Sequence, residues 1–126
     1  MEVLKRLSGT VVEGNKRGRR INSPTINIEG DFDLPHGIYA CTVETSQGGY
    51  VGAMHFGPRL TFNESEPVLE IRLLDFDGDL YGETVKIDVY NKIREIEAFS
   101  TEVELKEQIE QDIQLIKTEY DQIFKK

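Results

Sequence analysis

The sequence predicts a mainly β protein: a closed or nearly closed barrel of six or so short strands, followed by one amphipathic helix. Three observations carry this. Short β-branched runs end at Gly, two later runs alternate apolar and polar residues with period two, and the period becomes helical after Thr101. The length of 126 residues, 38% hydrophobic and 30% charged, suits one domain with a single core. The barrel is expected over about 7–93 and the helix over about 102–124.

The elements follow in order. "SGTVVEG" and "TINIEG" read as strands closed by Gly. "GIYACTVETS" and "YVGAMHFG", joined through "QGG", read as an antiparallel hairpin. In "VLEIRLLDF", Leu69, Ile71 and Leu73 share one face and Glu70 and Arg72 the other; "TVKIDVYNKI" repeats the alternation with Val85, Ile87 and Val89. The Asp- and Gly-rich "DGDLYGE" between these two suits a tight connection, so they too are expected to pair. Thr101 and Glu104 form a capping box. Leu105, Ile109, Ile113, Ile116, Tyr120 and Ile123 then make an apolar stripe, expected to pack on the barrel.

Composition excludes several classes of function. A net charge of −8 opposes general attraction to nucleic acid or anionic membrane. No run of about 18 apolar residues is present, and "MEVLKRLSGTVVEG" lacks the apolar stretch of a secretory signal, so a cytoplasmic location is expected. The single cysteine, Cys41, lies in an apolar run and reads as a buried, inert thiol. Asp75, Asp77 and Asp79 alternate like a calcium loop, but Lys86 stands where the twelfth-position Glu should be. An acidic hairpin turn fits that segment better.

Against this acidic background "GNKRGRRINSPTIN" stands out. Gly14 and Gly18 permit close backbone approach to an anion, and Lys16, Arg17, Arg19 and Arg20 supply positive charge. Pro24 disfavours helix at the residue before it, and Thr25 and Asn27 alternate with Ile26 so as to put two side-chain oxygens on one face. Neutral oxygen ligands beside a phosphate cradle suit Mg²⁺. The spacing matches neither GxxxxGK[ST] nor GxGxxG. A strand start after a solvated basic loop is the plain alternative. A rival function is a non-enzymatic nucleic-acid-binding barrel that uses Lys16 to Arg20 on phosphates. It would want aromatic residues interleaved with that charge, and Tyr39, Tyr50, Phe56 and Phe62 lie elsewhere.

Five collinear motifs carry a family resemblance. "GRRINSPTIN" resembles the GRxLGFPTAN signature of riboflavin kinases, "LPHGIYACTV" their LPxGVYAxxV, and "HFGPRLTF" their NxGxRPTF. "LEIRLLDFDGDLYG" resembles ExHLLDFxxDLYG, and "IREIEAFSTEVELKEQIEQD" resembles RxExxFxSxExLxxQIxxD. The same module forms the C-terminal half of bacterial bifunctional FAD synthetases. The resemblance implies a six-stranded Greek-key barrel that transfers the γ-phosphoryl group of MgATP to the ribityl 5′-hydroxyl of riboflavin. It assigns Glu70 as catalytic base and Thr25 and Asn27 to metal and phosphate. Gly14, Lys16, Gly18, Arg19 and Ser23 join Thr25 and Asn27 in nucleotide binding, and Arg94 and His55 fall to flavin. A monomer is expected, with riboflavin/FMN and ATP/ADP as partners and neither nucleic acid nor membrane. The sequence departs from the family at Asn22, Ser23, Ile26, His55, Leu60, Arg72 and Ile96. His55 replaces an asparagine and reads as a hydrogen-bonding substitute, while Arg72 replaces a histidine.

Overall fold

A computed structural model describes residues 3–12 and 25–120. It contains β1 (Lys5–Val12), β2 (Thr25–Glu29), β3 (Gly37–Thr45), β4 (Gly48–Pro58), β5 (Pro67–Leu73), β6 (Thr84–Arg94) and helix α1 (Glu102–Tyr120), with a short 3₁₀ turn at Leu60–Phe62. The strands close into a barrel in the order β1-β2-β5-β4-β3-β6, and every neighbouring pair is antiparallel. The hairpin expected around "QGG" is β3 with β4, in register from Gly37 opposite Phe56 to Thr45 opposite Gly48.

The expected pairing of the two alternating runs does not form. β5 pairs with β2 and β4, and β6 with β1 and β3. Residues 74–83 are therefore a crossover and not an acidic hairpin turn. Their apolar residues explain why: Phe76 and Leu80 are buried in the barrel core, which a tight surface turn would have forbidden. The crossover passes the tip of the β3–β4 hairpin, where Gln47 Nε2 donates to Asp79 O at 3.3 Å and the Ser46 N–H donates to Glu83 Oε1 at 3.3 Å. It then docks on β1, with the Gly82 N–H donating to Val11 O and the Val11 N–H to Glu83 O.

Two apolar clusters set the position of everything else. Inside the barrel, alternate residues such as Ile26, Ile28, Met54, Leu69, Ile71 and Val85 interdigitate. The packing leaves no room at Gly52, where a Cβ would lie 2.6 Å from Ile71 Cγ2. Outside it, Ala40, Val51 and Leu74 meet Ile113 and Ile116 of α1, with Ile109 at the edge. β3 is thus covered on both faces, which accounts for the unbroken apolar run in "GIYACTV". The helix begins as its capping residues predict, with the Glu104 N–H donating to Thr101 Oγ1 at 3.1 Å. Ile123 lies outside the described residues.

Cys41 is fully buried, and burial pushes its thiol well above the ordinary cysteine range. Native protein is therefore expected to resist a thiol-reactive chromophore over hours and to react within minutes in denaturant. Rapid native labelling would contradict the inert reading.

Candidate active site

Barrel alternation decides what faces outward. Because Ile26, Ile28, Leu69 and Ile71 point into the core, Thr25 and Asn27 on β2 and Glu70 and Arg72 on β5 point away from it. The register then aligns them. Asn27 is opposite Glu70 and Thr25 is opposite Arg72; Glu70 is opposite His55, His55 opposite Ile38, and Ile38 opposite Arg94. One row, Asn27–Glu70–His55–Ile38–Arg94, crosses the outer face of five strands. Directly opposed residues have Cβ atoms about 4.5–5.5 Å apart.

Above this row lies a cavity walled by the 3₁₀ turn, by the segment after β6 and by α1. Glu70, His55, Arg59, Arg72 and Arg94 are among its polar lining residues, and Ala53, Phe62, Phe99, Leu105 and Ile109 among its apolar walls. Thr25 and Asn27 flank it on β2. The 3₁₀ turn and the segment after β6 are joined, since the Phe99 N–H donates to Thr61 Oγ1 at 3.1 Å. Gly57 adopts φ 137° just before the turn, a conformation that favours glycine, and a Cβ there would crowd His36 and Ile96.

The carboxylate of Glu70 is not a solvated strand residue: its side chain is only 15% exposed. Arg59 Nε lies 3.3 Å from Glu70 Oε1 and 3.2 Å from Glu64 Oε1. Those are ion-pair distances, but Nε is aligned with neither oxygen for a hydrogen bond. Arg59 therefore divides its charge between two acids. Arg72 is buried, burial pulls its guanidinium below the ordinary arginine range, and the charges of Glu110 and Glu70 act in the opposite direction. Its Nη1 has no hydrogen-bond partner among the described residues.

His55 Nε2 lies 3.0 Å from Gly57 O, so that nitrogen carries the proton and donates. His55 thus makes a hydrogen bond to the backbone of its own strand. Burial lowers the pKa of His55 below 6.5, and the charge of Arg59 lowers it further; the bonds to Gly57 and Pro58 and the charge of Glu70 oppose that shift. A folded-state pKa below the unfolded value means that the unfolded chain binds the proton more readily. Stability is then lost as pH falls below about 6.5 toward the lower folded value. We expect denaturant midpoints to drop across that window in wild type and to drop less in His55→Asn. Equal acid sensitivity in both would show that His55 does not contribute.

Arg94 is committed to the fold as well as to the cavity. Its Nε donates to both oxygens of Asp112 (3.0 and 3.2 Å), its Nη2 to Oδ2 at 2.9 Å, and its Nη1 to Glu95 O at 3.0 Å. Gln108 Nε2 adds a further donor to Asp112 at 3.1 Å. This fork ties α1 to the end of β6 and holds Phe99 beside the cavity.

Of the residues expected at the site, the structure brings Glu70, His55 and Arg94 into the cavity and puts Thr25 and Asn27 next to it. Gly14, Lys16, Gly18, Arg19 and Ser23 lie outside the described residues. Sequence reasoning missed Arg59, Thr61, Phe99 and Asp112. All four stood inside the family-like motifs "HFGPRLTF" and "IREIEAFSTEVELKEQIEQD" without being assigned a task.

The fold and site define a mainly β domain: a closed antiparallel barrel whose outer face carries a cleft with a largely buried carboxylate, Glu70, beside the Thr25 and Asn27 side chains. The chain belongs to the riboflavin kinase family: the family's sequence model, Flavokinase, matches residues 3–120. It is 40% identical over 115 residues to the bifunctional riboflavin kinase/FMN adenylyltransferase of Buchnera aphidicola subsp. Acyrthosiphon pisum, covering 87% of this chain and 37% of that protein. It is 33% identical to the RNA-binding riboflavin kinase RibR of Bacillus subtilis, over 93% of this chain and 52% of that one. The crystal structure of riboflavin kinase from Trypanosoma brucei superposes with a TM-score of 0.63 at 26% identity, over 90% of this chain and 77% of that one. The chain thus spans little more than a third of the length of the bifunctional relative.

Proposed function

We propose that the chain transfers the γ-phosphoryl group of ATP to the 5′-hydroxyl of riboflavin, forming FMN and ADP. One observation carries the reading: Glu70 sits in the cavity wall directly opposite Asn27, with Thr25 on the same face. The apolar walls suit a flat heteroaromatic ring. The carboxylate marks where its alcohol has to arrive.

A primary alcohol is a poor nucleophile at neutral pH, so a carboxylate within hydrogen-bond reach assists by taking its proton as the new P–O bond forms. Glu70 Oε accepts that proton while the bond from the γ-phosphorus to the β,γ-bridging oxygen breaks and ADP departs. Arg59 lies within ion-pair distance of the carboxylate, and Glu64 shares that cation. Thr25 hydroxyl and Asn27 amide oxygens, next to a carboxylate, are hard donors suited to Mg²⁺. Among the described residues no group of three His, Cys, Asp or Glu side chains could hold a metal unaided. When bound, such an ion neutralises charge on the transferring group. Gly14, Lys16, Gly18, Arg19 and Ser23, which lie outside the described residues, would bind the nucleotide phosphates.

The reading makes the protein a cytoplasmic monomer whose partners are riboflavin and ATP. No helix among the described residues is long and apolar enough to cross a membrane. The rival nucleic-acid reading is disfavoured by its aromatic residues. Tyr39 and Phe56 are buried and Tyr50 packs edge-on to Phe76 at 5.0 Å, so these rings do not form an exposed stacking platform. Incubation with riboflavin and MgATP, followed by chromatography, tests the proposal. FMN is the expected product, and its absence with every divalent metal and nucleoside triphosphate tried would refute it.

A further inference from the structure

Arg72 stands outside the chemistry assigned to Glu70, Thr25 and Asn27, yet it lines the same cavity. It is 7% exposed, and Nη1 is sealed from solvent with no acceptor among the described residues. A guanidinium N–H in that state is costly to leave unmade. The acids Glu110 and Glu70 act on Arg72 through their charge without satisfying Nη1. Ala53, opposite it on β4, and Ile109, across the cavity on α1, have no side-chain acceptor to offer. Among the described residues Arg72 thus brings to the cavity wall a buried guanidinium with donor capacity to spare.

Position narrows the choice of acceptor. Arg72 is opposite Thr25 and two residues along the same strand face from Glu70, the two residues to which the proposed function gives phosphate or metal binding and proton acceptance. A guanidinium is a planar fork of donors that matches phosphoryl oxygens and stays charged at any physiological pH. We infer that Arg72 is a phosphoryl-binding residue, donating to an oxygen of the γ-phosphoryl group in transit and then to the phosphate of FMN. The inference rests on the riboflavin kinase reading and adds to it a residue that tells product from substrate.

Direct binding tests it. Titrations of flavin fluorescence with riboflavin and with FMN compare wild type, Arg72→Gln and Arg72→Lys. Arg72→Gln is expected to lose about 10- to 100-fold in FMN affinity, the range for a hydrogen bond to a charged group, and to hold riboflavin within about twofold. Its kcat falls while KM for riboflavin stays near wild type. Arg72→Lys keeps the charge without the fork and retains part of the FMN affinity. Thermal melts report folding, and either variant alone gives the FMN-to-riboflavin ratio if the other does not fold. Equal loss for both flavins would put the contact on the ring and overturn the inference, as would unchanged affinity for both. Wild-type FMN formation is measured in parallel: its failure removes the kinase reading, whereas the affinity ratio tests Arg72 by itself.

Discussion

Replacing Glu70 with Gln is expected to lower kcat by roughly 10²–10⁴-fold, the usual contribution of a general base. The substitution keeps volume and hydrogen-bonding capacity but removes the proton acceptor. Arg59 retains Glu64 at 3.2 Å, so the loss of Glu70 does not strand a buried cation, and stability should change by no more than about 1 kcal/mol. Affinities for riboflavin and MgATP should move far less than the rate, because the lost interaction belongs to the transition state. Stopped-flow or quenched single turnovers with both substrates saturating separate chemistry from product release. A wild-type rate constant there would take the catalytic role from Glu70.

The largest stability effect is expected at Asp112. Its side chain is 5% exposed and receives three hydrogen bonds from Arg94, whose own side chain is 18% exposed, and one from Gln108. Asp112→Ala would leave a largely buried guanidinium facing an empty site. Breaking a buried pair by deleting one partner costs about 3–5 kcal/mol. Arg94 keeps its bond to Glu95 O and stays within 3.9 Å of Glu97, so the lower end, about 3 kcal/mol or roughly 10 °C in Tm, is expected. Asp112→Asn, which preserves an acceptor, should lose less. Because the same fork steadies the cavity wall that carries Phe99, KM for riboflavin should rise in both variants even where the protein is folded. A Tm within about 2 °C of wild type in Asp112→Ala would show that α1 is held by its apolar stripe alone.

Local patterns were legible because their physics is local. Alternation in "VLEIRLLDF" assigned Glu70 and Arg72 to the face away from the core, the Thr101 cap located the start of α1, and "QGG" located a true hairpin. The pairing of β5 with β6 was misjudged because strand partners in a Greek-key barrel are distant in sequence. The Asp and Gly residues of the crossover resemble those of a tight turn. Phe76 and Leu80 were the available signal, since buried large apolar residues do not belong in a surface hairpin loop. Within the site, Arg94 was expected to face flavin. Its engagement by Asp112 depends on how α1 packs across β6, which no periodicity reports. Arg72 showed only as a departure from a family pattern; its burial, and an Nη1 without a hydrogen-bond partner among the described residues, depend on tertiary packing.

Transfer of label from ATP to flavin tests the central claim most directly. With a radiolabel at the γ-phosphorus, riboflavin and Mg²⁺, a single turnover of the wild-type chain should place the label in FMN, one label for each riboflavin consumed, and leave ADP unlabelled. Label recovered as inorganic phosphate, or a flavin that stays unlabelled while ATP is consumed, would contradict phosphoryl transfer to the ribityl hydroxyl in this cavity.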